Sequence, residues 1–99
     1  MIKMMEFKKG DIVKIIDPIK YENRLKTNDL LFIKYIGMTE FFCGFCRDLC
    51  RGITLEDLNG KEICNCCGKR AVRATERETL LFYIHGQKAL QVEENDKEI

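Results

Sequence analysis

The sequence predicts a small, mostly β domain with a hairpin set into it and gripped by a metal ion. Three observations carry this. Runs rich in β-branched and aromatic residues recur at 12–16, 30–36 and 79–85, each closed by proline or glycine. All six cysteines fall between Cys43 and Cys67, and four of them form two Cys-x-x-Cys pairs. Between the pairs, Asn59-Gly60 marks a tight hairpin turn.

In chain order, Lys8-Lys9-Gly10-Asp11 reads as a turn leading into Ile12-Val13-Lys14-Ile15-Ile16, the first strand. Asp17-Pro18 stops it, because proline lacks a ladder donor and restricts its predecessor. Residues 19–29, with Asn23, Thr27, Asn28 and Asp29, read as a loop. Leu30 to Ile36 is a second strand, apolar on both faces, with Lys34 the residue expected to face water. Gly52-Ile53-Thr54-Leu55 and Lys61-Glu62-Ile63-Cys64 form a hairpin about Asn59-Gly60, and Ala71–Thr75 reads as a short strand or a helical turn. Thr79 to His85 reads as the last strand. The expected organisation is one β domain over 1–87, an insertion at about 41–70, and an acidic, frayed tail over 88–99.

Within the insertion, Cys43-Gly44-Phe45-Cys46 and Cys64-Asn65-Cys66-Cys67 are separated by seventeen residues. Two residues between thiolates let a tight turn aim both sulfurs at one point, so each pair supplies half a tetrahedron. Glycines at 44 and 68 suit such turns, through access to positive φ. The expected ligands of one structural zinc are therefore Cys43, Cys46, Cys64 and Cys67. Four thiolates leave no position for water, so the site is expected to be structural rather than catalytic. Cys66 competes with Cys67 by a one-residue shift of register, and a two-metal, six-cysteine cluster is a second alternative. Otherwise Cys50 and Cys66 are ordinary thiols. A disulfide needs an oxidising compartment, and a thioredoxin-like pair needs a βαβ context that the sequence lacks. His85, the one histidine, reads as a surface side chain.

The segment Cys43–Gly68 resembles a zinc ribbon in ligand type, spacing and intervening hairpin. The opening Phe7–Ile15 resembles the start of small SH3-like barrels, where a glycine-aspartate turn precedes the first strand. Together these imply an SH3-like barrel or sheet with a zinc-ribbon insertion between its second and last strands. Zinc ribbons include protein-binding and nucleic-acid-binding modules, so the resemblance implies a fold element rather than an activity.

Composition narrows the function. Seventeen basic residues against sixteen acidic give a net charge of +1, which argues against binding nucleic acid by charge alone. Residues 1–87 carry fifteen basic and twelve acidic side chains, so a basic face and nucleic-acid binding stay open as the alternative. No apolar run approaches a membrane span, and Met1–Glu6 lacks the apolar core of a signal peptide, so a cytosolic chain is expected. No nucleophile, base and orienter can be assembled, and no phosphate loop is present, so no enzyme is expected. Phe45, Arg47, Arg51, Lys69 and Arg70 crowd the metal site and read as a recognition head, suited to a protein partner first. Phe41 and Phe42 are expected to pack the hairpin onto the domain. In size and style the chain resembles accessory proteins of phages and mobile elements. That likeness implies an inhibitor of a host machine, such as an anti-CRISPR protein or an RNA polymerase regulator.

Overall fold

A computed structural model describes residues 7–19, 23–44 and 47–91. Seven strands and one helix follow in order: β1 (Ile12–Ile15), β2 (Leu30–Ile36), β3 (Phe41–Cys43), β4 (Asp48–Cys50), β5 (Gly52–Glu56), β6 (Glu62–Cys67), β7 (Ala71–Arg73) and α1 (Glu76–His85). Five strands form an antiparallel sheet in the order β6-β5-β2-β1-β7, while β3 and β4 pair as a separate hairpin. Among the described residues the sheet is open, with β6 and β7 at its edges. The expected inserted unit is thereby divided. Its Asn59-Gly60 hairpin, β5–β6, belongs to the main sheet, and only β3–β4 stands apart.

The sheet buries both faces. On one, Val13, Ile15, Leu31, Ile33, Ile53, Leu55, Cys64, Cys66 and Ala71 draw all five strands into one core. On the other, Ile12, Leu30 and Phe32 meet Phe82 of α1 and Ala89. Phe32 and Phe82 pack edge to face, centroids 5.0 Å apart. Lys34 faces water, as its place in β2 suggested.

Two expectations fail here. Thr79–His85 is the body of a helix, not a strand. Thr75 caps it, its hydroxyl accepting from the Glu78 amide at 3.2 Å while the Glu78 carboxylate accepts from the Thr75 amide at 2.9 Å. That Thr-x-x-Glu box closes two orphan donors of the first turn, and it outweighs the β propensity of the residues that follow. Gly86, at φ 84°, ends the helix and donates to the Phe82 carbonyl. The chain also remains packed from Lys88 to Gln91, and the rest of the expected tail, 92–99, lies outside the described residues. Asp29, fully buried, accepts hydrogen bonds from the Lys26 amide (2.9 Å), Gln87 Nε2 (3.0 Å), Lys88 Nζ (2.6 Å) and Gln91 Nε2 (2.7 Å). A buried carboxylate needs such partners, and it finds three of them in the segment after the helix.

The turns are locally determined. Asp11 accepts from the Lys8 amide at 2.9 Å, with Gly10 at φ 92°. Asp57 Oδ1 accepts from the amides of Asn59 and Lys61, with Gly60 at φ 80°. These are side-chain-capped turns of the kind Asp and Gly favour.

Candidate metal centre

Hairpin register decides which sulfurs meet. Phe41 pairs with Cys50, Phe42 with Leu49, and Cys43 with Asp48. Residues directly opposite share a face, so Cys43 and Cys50 lie on one side of the hairpin and Phe42 and Leu49 on the other. The third sulfur comes from Cys67, the last residue of β6, opposite Gly52 in β5.

The ligand atoms of Cys43, Cys50 and Cys67 all lie within 4.8 Å of one another. Cys67 Sγ is 3.5 Å from Cys50 Sγ, close to the roughly 3.8 Å edge of a tetrahedron with 2.3 Å zinc–sulfur arms. The Lys69 amide donates to Cys67 Sγ at 3.4 Å, the kind of contact that steadies a thiolate. The three are buried and form a cluster of their own, separate from both apolar cores. Three sulfurs therefore come together in a cluster that, among the described residues, no aliphatic side chain joins. Burial pushes the Cys67 thiol above its ordinary value, against the Lys69 amide and Cys50, which act in the opposite direction. A bound cation reverses that preference, because the thiolate is the ligand. The residues present thus fit a metal ion, with Cys43, Cys50 and Cys67 as its holders.

Of the four expected ligands, Cys43 and Cys67 are brought together. Cys46 lies outside the described residues. Cys64 is carried elsewhere: it lies three residues from Cys67 on an unbroken ladder, so the two face opposite sides, and a bulge before Cys64 sets which side each takes. Glu56 pairs with Glu62 and Leu55 with Cys64, so Ile63 is the extra residue. One added residue exchanges the two faces of a strand. Cys64 and Cys66 therefore turn into the core, Ile63 is buried beside them, and Cys67 points away toward the hairpin. A hydrogen bond between Cys66 and Cys64, and then burial, push the Cys66 thiol far up, as suits a neutral core group. Cys50, an ordinary thiol by its spacing, takes a place in the cluster instead. A hairpin turn centred on 45 and 46 is the signal that would have found it, since it sets Cys43 opposite Asp48 and Cys50 lies two residues on, on the same face.

The glycines also work differently from expectation. Neither Gly44 nor Gly68 has positive φ; Arg47 does, at 56°, with its amide donating to the Cys43 carbonyl at 2.8 Å. Gly68 is needed for close approach: a Cβ there would lie 3.2 Å from the Arg51 carbonyl oxygen.

Around the centre, Phe42 is 68% and Leu49 57% exposed, and Phe41 is half exposed with its ring edge over Gly52. Phe42 is therefore not the packing residue expected of it, while Phe41 keeps one ring contact with Gly52 of the main sheet. Phe45 lies outside the described residues. Arg47 and Arg51 are exposed, and Lys69 reaches Asp48 at 3.5 Å. Asp48 is held below the ordinary carboxylate range, first by the Leu49 amide and then by Lys69. Arg70 turns away, donating to the carbonyls of Asp17 and Pro18 at 3.0 and 3.2 Å, so it ties the turn before β7 to the end of β1. His85 ends α1 rather than a strand. No helix among the described residues is long and apolar enough to cross a membrane.

Comparison with known protein families, with characterised proteins and with solved structures found no match to this chain.

Proposed function

We propose that the protein is a zinc-braced, non-enzymatic module that binds another protein through the β3–β4 hairpin. One observation carries the reading. The inner face of the hairpin is joined to the sheet by three clustered sulfurs, while its outer face presents Phe42 and Leu49 to solvent. An exposed apolar pair on a hairpin so tethered is a poor core and a good contact, because rigidity lowers the entropy lost on binding. Exposed Arg47 and Arg51 beside it suit the composition of protein interfaces.

In this reading zinc is held by Cys43, Cys50 and Cys67, with Cys46 the fourth thiolate that the Cys-x-x-Cys spacing supplies. Bound there, zinc supplies cross-linking rather than reactivity. An SH3-like sheet carrying a metal-held insertion is consistent with the pairing of the last strand, β7, on the first, β1. Inhibition of a host machine by occupancy asks nothing further of such a head.

Elemental analysis with mass spectrometry tests the metal. One zinc per chain is expected. Cys50→Ser and Cys67→Ser should lose it, and Cys64→Ser should keep it. A folded, metal-free wild type with intact thiols overturns the reading. Affinity capture tests the head: a protein retained by wild type should be lost with Phe42→Ala or Leu49→Ala. Retention of nucleic acid alone, falling steeply with salt, decides for the alternative of a nucleic-acid-binding zinc module.

A further inference from the structure

Beside the metal centre lies a cleft of about 530 Å³, within the usual range of ligand pockets. Four parts of the chain line it: Ile36 of β2, Ile53 of β5, Phe7 before β1, and Leu49 of the hairpin, which is itself 57% exposed. Lys8, Arg51 and Lys69 line it as well, each from a different part of the fold, against one carboxylate among the described lining residues, Glu40. Cys50 borders it too, so a metal ligand sits between an apolar wall residue, Leu49, and a cation, Arg51.

We propose that this cleft is the specificity pocket of the head and takes an acidic peptide segment, with one aliphatic or aromatic side chain inside and carboxylates on the cations. The proposal rests on the protein-binding reading above and names the partner's chemistry. Charge selects the occupant, since three lining cations face one carboxylate among the described lining residues. Lys69 is already paired with Asp48 at 3.5 Å, its own side chain 25% exposed and that of Asp48 70%, so Lys8 and Arg51 are the cations that carry most of the carboxylate contact. The apolar lining argues against a bare anion, which would leave Ile36, Ile53 and Leu49 without a contact. Nucleic acid fits less well, because the cations gather at one cleft instead of tracking a backbone, and Glu40 stands among them.

The test uses the full chain, zinc-loaded, and three fluorescein-labelled hexapeptides. These are Glu-Asp-Leu-Phe-Asp-Glu, its charge-reversed form Lys-Lys-Leu-Phe-Lys-Lys, and an apolar-free form Glu-Asp-Ser-Gly-Asp-Glu. Only the first should bind, shifting the amide resonances of Ile36, Ile53 and Gly68. Arg51→Glu should weaken it by roughly tenfold or more through charge reversal. Leu49→Glu, at a half-exposed site that the fold tolerates, should do the same. Chelation should weaken it while the core resonances stay dispersed. Four results overturn the proposal: equal binding of the charge-reversed peptide, no shift at millimolar peptide, displacement of the peptide by a dodecamer of deoxyadenosine, or a dimer that Arg51→Glu dissociates. Failure here is separable from failure of the head. If Phe42→Ala abolishes partner capture but no peptide binds, the pocket falls and the head stands. If the acidic peptide binds but Phe42→Ala leaves capture intact, the head reading falls.

Discussion

Replacing Asp29 by alanine should destabilise the protein by about 3–4 kcal/mol. The carboxylate is fully buried and accepts four hydrogen bonds from two parts of the chain. A hydrogen bond to a charged group contributes about 1.5–3 kcal/mol, and breaking a buried ion pair from one side costs about 3–5. The full sum is not realised, because Lys88 keeps 42% of its side-chain surface and rehydrates once released. What water cannot repair is the part-buried Lys26 amide and the detachment of Gln91, since Gln87 keeps the Arg24 carbonyl at 2.7 Å and the Leu30 amide at 3.0 Å. For a domain of this size each kcal/mol shifts the melting temperature by about 4–8 °C, so Asp29→Ala should melt about 15–25 °C lower. Urea and thermal denaturation, followed by far-ultraviolet circular dichroism on the metal-loaded protein, measure this. Lys88→Met should cost about 1 kcal/mol, since its end of the pair is half exposed. A loss below about 1 kcal/mol for Asp29→Ala refutes the claim that this carboxylate anchors the segment after α1.

Three other outcomes follow from single contacts. Glu78 is drawn upward by burial but held below the ordinary carboxylate value by Lys14, at 2.9 Å, and by Thr75. A depressed carboxyl stabilises the fold above its unfolded pKa of about 4.3 and loses that contribution as pH falls through the lower folded value. The stability gap between wild type and Glu78→Gln, about 1 kcal/mol at pH 7, should therefore close under acid titration below about pH 4. Thr75→Ala removes the cap of α1 and should cost about 1 kcal/mol in urea denaturation, with Thr75→Ser close to neutral. Gly68→Ala places a methyl 3.2 Å from the Arg51 carbonyl. It should cost about 1–2 kcal/mol and weaken metal retention in a competition assay with a chelator, because Gly68 follows Cys67 directly.

Much of the sheet could be read from the chain. β2 runs over the predicted residues, and the β5–β6 turn falls at Asn59-Gly60 because Asp57 and Gly60 carry its geometry in their own side chains and φ angles. Local chemistry also wrote the helix, in Thr75 and Glu78, but Leu80, Tyr83 and Ile84 stay exposed beside buried Phe82, so the segment is apolar all round and masks its period. The metal centre was readable only to its neighbourhood. Spacing identified clustered thiols, yet which of them converge depends on a bulge at Ile63 and on the pairing of β3 with β4. Both arise from contacts between strands, and no count of residues between cysteines contains them. Asp29 looked like loop polarity because three of its four donors lie 58 or more positions away.

The bulge in β6 has a consequence for how the chain assembles. Three thiols crowd four consecutive positions, and a slip of one residue would present Cys66 where Cys67 belongs. Softly coordinating ions also bind unfolded thiols, though less tightly than an assembled site, so cation present too early can hold the wrong neighbour and trap the mispaired strand. Zippering of β5 against β6 before loading removes that hazard, since it hides Cys64 and Cys66 behind aliphatic side chains. Late addition of zinc during refolding should accordingly give more native product than early addition.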